Sequence, residues 1–532
     1  MFYNTGILVK LTLRRERIVS CVWIILTAGF AAFLAIGLYA AMDEASRLEM
    51  LLVLENPAMI AMIGPIIGMD NFTHGAMYTT FMLIFTAIAV VVMNIMLVVR
   101  HTRADEEKGR YEVVRSLPIG RLAHLNATII VAVIVNIILA IITGLLLFAA
   151  GDESMGFNGS MLWGALLGSV GLFFAATAAV FAQLSSSSKG AMGYSLFVMG
   201  FFYLMRAVGD VSMEALSFIS PLGLILRAQA YVNNNWMPVF VLIGLSIVII
   251  IIAFRLNITR DIDQGLLPDK RGSANGGILL KSPIGFALKL SKTGLIVGFI
   301  TMFVMAASYG TIMGDIEGFI ETNEFYSQLI LWMDGISMPL LFVGMINFMM
   351  AMLALIPMIL YVTRVRSEEK DIRAELILAA SVSKYKYLGG FAVISFVSSI
   401  ILQLLTALGL WVSAQGVLED ISEFPLDTVI IGNLLYLPAL WVIIGLLIFL
   451  IGVFPKAAGI IWAVYGGIFL LGLFGRMDIF PSWIINISPF AYIAQYPMEN
   501  INWFNMVLLT IIAAVLSIIG FIGFRKRDIG KN

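Results

Sequence analysis

The charged side chains best placed for specific interactions form two short segments, one in each half of the chain. The first reads RADEEKGRYEVV from Arg103, and the second reads RSEEKDIRAELI from Arg366. If each segment is helical, Glu106 and Arg110 lie four residues apart on one face and can form an ion pair. Glu369 and Arg373 repeat this spacing. Mixed charge of this kind is typical of a surface that another protein recognises.

Catalytic motifs are absent from the sequence. It contains neither the phosphate-binding pattern GxxxxGK[ST] nor the zinc pattern HExxH, so we expect no ATP hydrolysis and no metal chemistry in this chain. Cys21 is the single cysteine, which excludes an intramolecular disulfide and a cysteine-ligated cluster. The formal net charge is zero, so no basic field favours nucleic acid. The sequence therefore predicts a non-enzymatic protein without catalytic or metal-binding residues.

Composition places the chain in the membrane. Of its 532 residues, 60% are hydrophobic and only 12% are charged, whereas soluble domains carry about 25% charged residues. A helix needs about 20 apolar residues to cross the hydrocarbon layer. The stretches long enough are 19–41, 78–99, 125–149, 161–184, 190–207, 237–256, 293–313, 338–362, 388–413, 428–453, 458–475 and 503–523. The predicted fold is an all-α polytopic membrane protein with about 12 transmembrane helices.

The distribution of basic residues predicts the orientation. With the N-terminus in the cytoplasm, about 29 of the 33 lysines and arginines face inward, as the positive-inside rule requires. The few that face outward are Arg47, Arg206, Arg227 and Arg476. Since the number of spans is even, we expect both termini on the cytoplasmic side.

An internal repeat divides the chain. A shift of 263 residues without a gap places Arg103, Asp105, Glu106, Arg110 and Glu112 on Arg366, Glu368, Glu369, Arg373 and Glu375. Three further pairs follow in the same order: Ile219–Pro221 with Ile487–Pro489, Asn235-Trp236 with Asn502-Trp503, and Arg260-Asp261 with Arg527-Asp528. We infer two parallel six-helix halves, 1–260 and 283–532, joined by a cytoplasmic linker, 261–282.

The first charged segment is predicted to be a cytoplasmic helix over 103–117 that stops at Pro118. Tyr111, Val114 and Leu117 give it a short apolar stripe. A solvated loop is the plain alternative, but repetition at the same place in both halves favours docking of a cytoplasmic partner. Two further basic amphipathic stretches, 5–17 and 282–292, precede the first span of each half and are predicted to lie in the membrane interface.

These features together resemble the permease of an ABC-2-type exporter, also called the type V exporter fold. Two six-span halves, amphipathic lead-in helices and an RxEExxGRxE-like segment after the second span carry the resemblance, with the junction from Arg260 to Pro268 and the external Ser-Pro element. The resemblance covers essentially the whole chain. It is closest to the fused, double-length permeases of the polyketide-antibiotic exporter group.

The resemblance implies that each charged segment is a coupling helix that docks into a separate ABC ATP-binding subunit, with two copies per permease chain. The residues carried over are Arg103, Glu106, Glu107, Arg110 and Glu112, and Arg366, Glu368, Glu369, Arg373 and Glu375. The second copy departs from the family pattern, because Ile372 replaces Gly109 and Ser381 replaces Pro118. It implies no cofactor in this chain, because ATP and Mg are bound by the partner.

By the same resemblance, the second and fifth spans of each half line a central cavity for hydrophobic or amphiphilic compounds of drug or antibiotic type. The candidate lining residues are Phe81, Phe85, Met93, Phe201, Met205, Phe342, Met345, Phe348, Phe469 and Phe474. The implied location is a bacterial cytoplasmic membrane. Lipid contact or helix packing is the alternative role for each of these side chains.

Two other functions remain open from the residues alone. A secondary, ion-coupled drug carrier would also have two six-span halves, although the sequence has no acidic residue near the middle of a predicted span, where proton-coupled carriers generally need one. A membrane scaffold or immunity protein would need no transport path. Dependence of export on a partner ATPase distinguishes all three.

Overall fold

A computed structural model describes most of the chain. The described residues are 1–39, 47–48, 50–51, 54, 57–261, 264–267, 277–311, 313, 338–370, 373–379, 382–418, 424–474 and 481–528. Over these ranges the regular structure is helical and contains no strand. The prediction of an all-α fold is confirmed.

Within the described ranges, twelve helices are long and apolar enough to cross a membrane, as predicted. We number them spans 1 to 12. They are Thr5–Leu34, His74–Arg100, Ala123–Ala149, Phe157–Leu184, Ser188–Val211, Met237–Thr259, Pro283–Thr311, Met338–Lys370, Lys384–Ala414, Leu426–Leu434 with Leu437–Val453, Pro455–Ile460 with Ile461–Phe474, and Trp503–Lys526. At 1.5 Å per residue, a 27-residue helix such as span 2 is about 40 Å long.

Shorter elements connect the spans. They are a π-helix at Ala35–Tyr39; α-helices at Pro57–Ile63, Arg103–Glu107, Arg110–Arg115, Glu214–Ile219, Pro221–Leu226, Arg373–Ala379 and Ser482–Ile485; and 3₁₀ turns at Met69–Asn71, Ile278–Lys281 and Pro489–Tyr492. Span 10 breaks before Pro438, which lacks the N–H that a continuous helix would need there. The basic lead-in stretches are not separate elements, since spans 1 and 7 begin at Thr5 and Pro283 and run through them.

The helices form two compact units, Met1–Arg271 and Gly272–Asn532, with six spans in each. In the first unit, span 4 lies at the centre, and Trp163 on it packs against Tyr78 of span 2 with ring centroids 5.5 Å apart. The Tyr78 hydroxyl donates to the Ala31 carbonyl 3.0 Å away in span 1. Gly164 lies directly against the Ala140 carbonyl, so spans 3 and 4 approach at backbone distance.

Two buried carboxamides join spans 2 and 3. Asn94 Nδ2 donates to Asn136 Oδ1 at 3.0 Å, and Asn136 Nδ2 donates back to Asn94 Oδ1 at 2.6 Å. Gly171 of span 4 covers the pair so closely that a Cβ there would lie 2.6 Å from Asn94 Nδ2. Because no water competes in the membrane interior, this reciprocal pair orders the three helices.

The second unit also depends on small residues where its helices meet. Gly452 of span 10 lies directly against the backbone of Gly520 in span 12. A Cβ on Gly409 of span 9 would be 2.7 Å from the Phe303 carbonyl of span 7. Close backbone approach replaces the hydrophobic effect as the source of helix association in lipid.

Candidate functional site

The first charged segment consists of two short helices rather than one. Arg103–Glu107 and Arg110–Arg115 are separated at Lys108 and Gly109. Gly109 has φ +65°, a left-handed conformation that costs glycine little and other residues more. The prediction of a continuous helix over 103–117 is therefore wrong, and the break changes which side chains meet.

Glu106 is buried between two arginines. Its Oε2 lies 2.7 Å from Arg103 Nη1, and its Oε1 pairs with Arg260 Nη2 at the end of span 6. Arg103 also donates to the carbonyls of Ser186, at 2.6 Å, and Gln264, at 3.3 Å. These hydrogen bonds to carbonyl acceptors offset the cost of removing the arginine charge from water. We call Arg103, Glu106 and Arg260 the first triad.

Arg110 pairs with Asp105 instead of Glu106. Arg110 Nη1 lies 3.2 Å from Asp105 Oδ1, and Arg15 of span 1 binds both oxygens of the same carboxylate at 2.7 and 2.9 Å. The predicted Glu106–Arg110 pair is wrong, because the break at Gly109 removes the regular four-residue spacing on which that pairing depends.

The second unit repeats this arrangement. Glu369 lies between Arg366, 3.1 Å away, and Arg527 at the end of span 12; these three residues form the second triad. Arg373 pairs with Glu368 through Nε at 2.8 Å and Nη2 at 3.2 Å, so the predicted Glu369–Arg373 pair is also wrong. Both halves thus exchange partners in the same way.

The triads explain two separate repeat signals in the sequence. Arg103 and Glu106 belong to the charged segment, whereas Arg260 belongs to the Arg-Asp pair that recurs at Arg527. In each unit the structure brings these signals into one ion cluster, which ties the end of the second span to the end of the sixth. The sequence predicted both signals but not that they meet.

The residues that follow span 6 pack beside the first triad and bind to the end of span 4. Leu266 N donates to the Gln183 carbonyl at 3.1 Å and Leu267 N to the Leu184 carbonyl at 2.9 Å. Gln183 Oε1 accepts from Arg260 Nε at 2.6 Å. A Cβ on Gly265 would lie 2.6 Å from the Leu184 carbonyl. The segment Gly265–Leu267 is thus packed closely against the end of span 4.

Span 1 adds an ionic layer in the first unit. Besides Arg15 on Asp105, buried Glu16 lies 3.0 Å from Arg100 Nη1 and 3.1 Å from His101 Nε2. The prediction of one amphipathic surface for this basic stretch misses two adjacent residues, Arg15 and Glu16, that form ion pairs with other parts of the first unit. The signal was available, because an acid inside a membrane helix is costly unless it is paired. The ion pairs described for Glu368 are with Arg364 and Arg373 only.

The residues of the two charged segments fall into a buried group, which binds the membrane domain, and an exposed group, which is accessible to a partner. The triad residues Arg103, Glu106 and Glu369 are buried, and so is Asp105, whereas Glu112 and Glu375 are exposed. Beside the exposed acids, Val113 is 70% and Leu376 is 74% exposed, and the 263-residue shift relates these two positions. Each segment therefore presents an acid followed by an apolar side chain.

The predicted apolar stripe of the first segment faces mainly toward the membrane domain and not toward solvent. Tyr111 is buried and its ring lies 4.9 Å from that of His124, while Val114 packs near Leu8 and Ala127. Leu117 alone of the stripe is exposed. These contacts fasten the helix to the membrane domain and turn Glu112 and Val113 outward.

Comparison with known proteins identifies the family. A family model described as "Multidrug efflux system permease Rv1217c, C-terminal domain" matches residues 8–256 and 280–525. The chain belongs to this family. It is also 28% identical, over 99% of its length and 96% of the relative's, to the "Multidrug efflux system permease protein Rv1217c" of Mycobacterium tuberculosis (strain ATCC 25618 / H37Rv). The predicted identity, a double-length ABC-2-type permease, is confirmed.

One matched segment lies in each compact unit of this permease. The twelve apolar helices of its described part make it a multi-pass membrane protein.

The candidate cavity residues of the permease fall into different environments. Phe85 and Phe201 are exposed, Phe81, Met205, Phe342 and Phe469 are partly buried, and Met93 is buried in the core of the first unit. Phe348 packs onto Gly472 and lies 5.6 Å from the Phe490 ring. The side chains of Met345 and Phe474 lie outside the described part. A role in lining a cavity stays a prediction.

Proposed function

We propose that this permease exports hydrophobic or amphiphilic compounds outward across the bacterial cytoplasmic membrane, driven by a separate ABC ATP-binding subunit. The relative that it matches along its whole length is a multidrug efflux permease, which supports a cargo of drug-like compounds. Two ATPase copies bind per chain, one at each charged segment. ATP and Mg are bound by those subunits and no cofactor is bound by this chain. Both termini lie in the cytoplasm with the segments.

The observation that carries this proposal is the repeated exposed pair, Glu112-Val113 and Glu375-Leu376. Single exposed apolar residues are common on protein surfaces, but the recurrence of one next to an exposed acid, at the same repeat position in both units, supports a shared docking face. The neighbouring acids add charge complementarity for a groove with basic residues at its edge. The triads below supply a rigid base for each surface.

The triads also give the coupling a physical path. Glu106 joins the segment to span 6 through Arg260, and Asp105 joins it to span 1 through Arg15. A push on the exposed face therefore moves the ends of spans 2, 6 and 1 together instead of bending a loop. In the second unit Glu369 joins span 8 to span 12 in the same way.

The test is assembly with the ATPase subunit after co-expression. Val113→Asp and Leu376→Asp each place a charge in the proposed contact without altering a buried residue. Each single variant should retain about half of the ATPase that wild type co-purifies, and the double variant should retain less than about a tenth. Met213→Asp, at an exposed apolar position beyond the far end of span 5, is the matched control and should behave as wild type.

Two results would contradict the proposal. Unchanged co-purification in the double variant would show that these faces are not the docking surfaces. Export that continues without the ATPase and stops with an ionophore would instead establish an ion-coupled carrier.

A further inference from the structure

One residue of the first charged segment contacts the start of span 5 directly. Glu107 Oε1 accepts a hydrogen bond from the backbone N–H of Ser188 at 2.8 Å, and Oε2 accepts from the Ser188 hydroxyl. Ser188 is the first residue of span 5, a helix of 24 residues. A carboxylate at that position is favoured by the unpaired N–H groups and the positive end of the helix dipole.

The second half has lost both partners of this contact. The 263-residue shift places Lys370 at the position of Glu107. The 267-residue shift, which relates Asn235 to Asn502 and Arg260 to Arg527, places Pro455 at the position of Ser188. Lysine has no acceptor, and proline has neither an N–H nor a hydroxyl to donate.

The register of this comparison is supported by the neighbouring residues. The same shift places Lys189 on Lys456 and Ala191 on Ala458, and both alanines are buried. Pro455 begins span 11 as Ser188 begins span 5. The two halves therefore place equivalent positions at this junction. The second half also has Gly452, Val453 and Phe454 where the first has Ser185, Ser186 and Ser187, so it lacks these hydroxyls as well as the pair that forms the link.

We propose that Glu107 is a positioning residue that transmits movement of the first charged segment to span 5, and that in the described part of the second half Lys370 and Pro455 form no such link to span 11. This rests on the proposed function, in which ATPase subunits move both segments. The two ATPase sites then act unequally on the permease. The first moves span 5 directly, whereas the second acts on span 11 only through helix packing.

The experiment follows the two helices in the assembled complex. In a Cys21→Ser background, an environment-sensitive fluorophore is attached at Phe197→Cys on span 5 or at Trp462→Cys on span 11, both exposed positions. The emission change on trapping the ATPase with ATP and vanadate is recorded in nanodiscs. Glu107→Lys and Ser188→Pro copy the second half; proline is tolerated in the first turn of a helix, so span 5 keeps its start.

We expect each variant to reduce the span 5 response about threefold, a modest loss because the contact is exposed to water. The double variant should be no worse than either single one, since both remove the same link. Lys370→Gln should leave the span 11 response unchanged, and Lys189→Gln is the matched control beside Ser188. The amount of co-purified ATPase should stay the same in Ser188→Pro, Lys370→Gln and Lys189→Gln, which lie outside the residues assigned to docking.

The outcomes separate this proposal from the proposed function. No co-purified ATPase, or no response of either fluorophore in the wild type, would contradict the proposed function itself. A wild-type span 5 response that survives Glu107→Lys and Ser188→Pro would refute the link. Effects that multiply in the double variant would also refute it, because independent defects multiply. Loss of ATPase on Glu107→Lys alone would reassign Glu107 to the docking surface.

Discussion

Removal of the central acid should destabilise the first triad more than the second. Glu106→Ala removes the carboxylate that pairs with both Arg103 and Arg260, whose side chains are only 1% and 6% exposed. Glu369→Ala removes the carboxylate that pairs with Arg366 and Arg527, but these side chains are 11% and 17% exposed, so water reaches them. The repeat thus provides the same chemical change at two depths of burial.

The expected sizes follow from that difference. Breaking a buried ion pair by removing one partner costs about 3–5 kcal/mol, and a better-hydrated site should lose about 1–3 kcal/mol. For a unit of this size, each kcal/mol lowers the melting temperature by about 2–4 °C. We therefore expect a fall of roughly 10 °C for Glu106→Ala and roughly 5 °C for Glu369→Ala.

The assay is thermal unfolding of the detergent-solubilised permease, followed by size-exclusion chromatography of a fluorescent fusion. Glu112→Ala, an exposed acid on the same segment, is the control and should change the melting temperature by less than about 2 °C. Adding Arg260→Met to Glu106→Ala should recover part of the loss, because it removes one of the two buried positive charges that Glu106 balances. Equal falls for the two triads, or no fall for Glu106→Ala, would refute the argument from burial.

Two further changes test the packing around the site. Asn136→Ala leaves the Asn94 carboxamide without its partner in the membrane interior and should cost about 1–3 kcal/mol, measured by the same melting assay; an Asn94→Ala/Asn136→Ala double variant that is much worse than the single one would contradict this. Gly265→Ala places a methyl group against the backbone of residues 184–186, so we expect about 1–3 kcal/mol of destabilisation and faster proteolysis after span 6. Gly277→Ala, where a Cβ has no atom within 4 Å, is its control and should be cut at the wild-type rate.

Much of the fold could be predicted because a membrane helix is specified by one contiguous stretch of sequence. A helix in lipid satisfies its own backbone, so a run of about 20 apolar residues is enough to identify a span. The observed ends differ from the predicted ones by a few residues in most cases. The larger error, at spans 1 and 7, arose because hydropathy ends where charge begins, whereas helical geometry continues through residues such as Arg15 and Glu16.

The two charged segments could be recognised in the sequence, but the ion pairs that they form could not. Spacing along a helix predicts an ion pair only if the helix is continuous, and Gly109 interrupts it. Glu106 pairs with Arg103, three residues earlier, and also with Arg260, more than 150 residues away; no local pattern can indicate the second partner. The reversal from an exposed to a buried Glu106 has the same cause, since burial depends on what the end of span 6 covers.

The sequence by itself determined the class of protein, the number of spans, the repeat and the two segments that matter, because hydropathy, composition and internal similarity are properties of the chain. Tertiary structure alone decided which acids support the segment and which residues it presents, and that Glu107 reaches Ser188. Those outcomes depend on distant backbone approaching within hydrogen-bond range. In the second half, nothing in the sequence connects Lys370 with Pro455. Only the contact between Glu107 and Ser188 in the first half shows that these two residues replace a hydrogen-bonded pair.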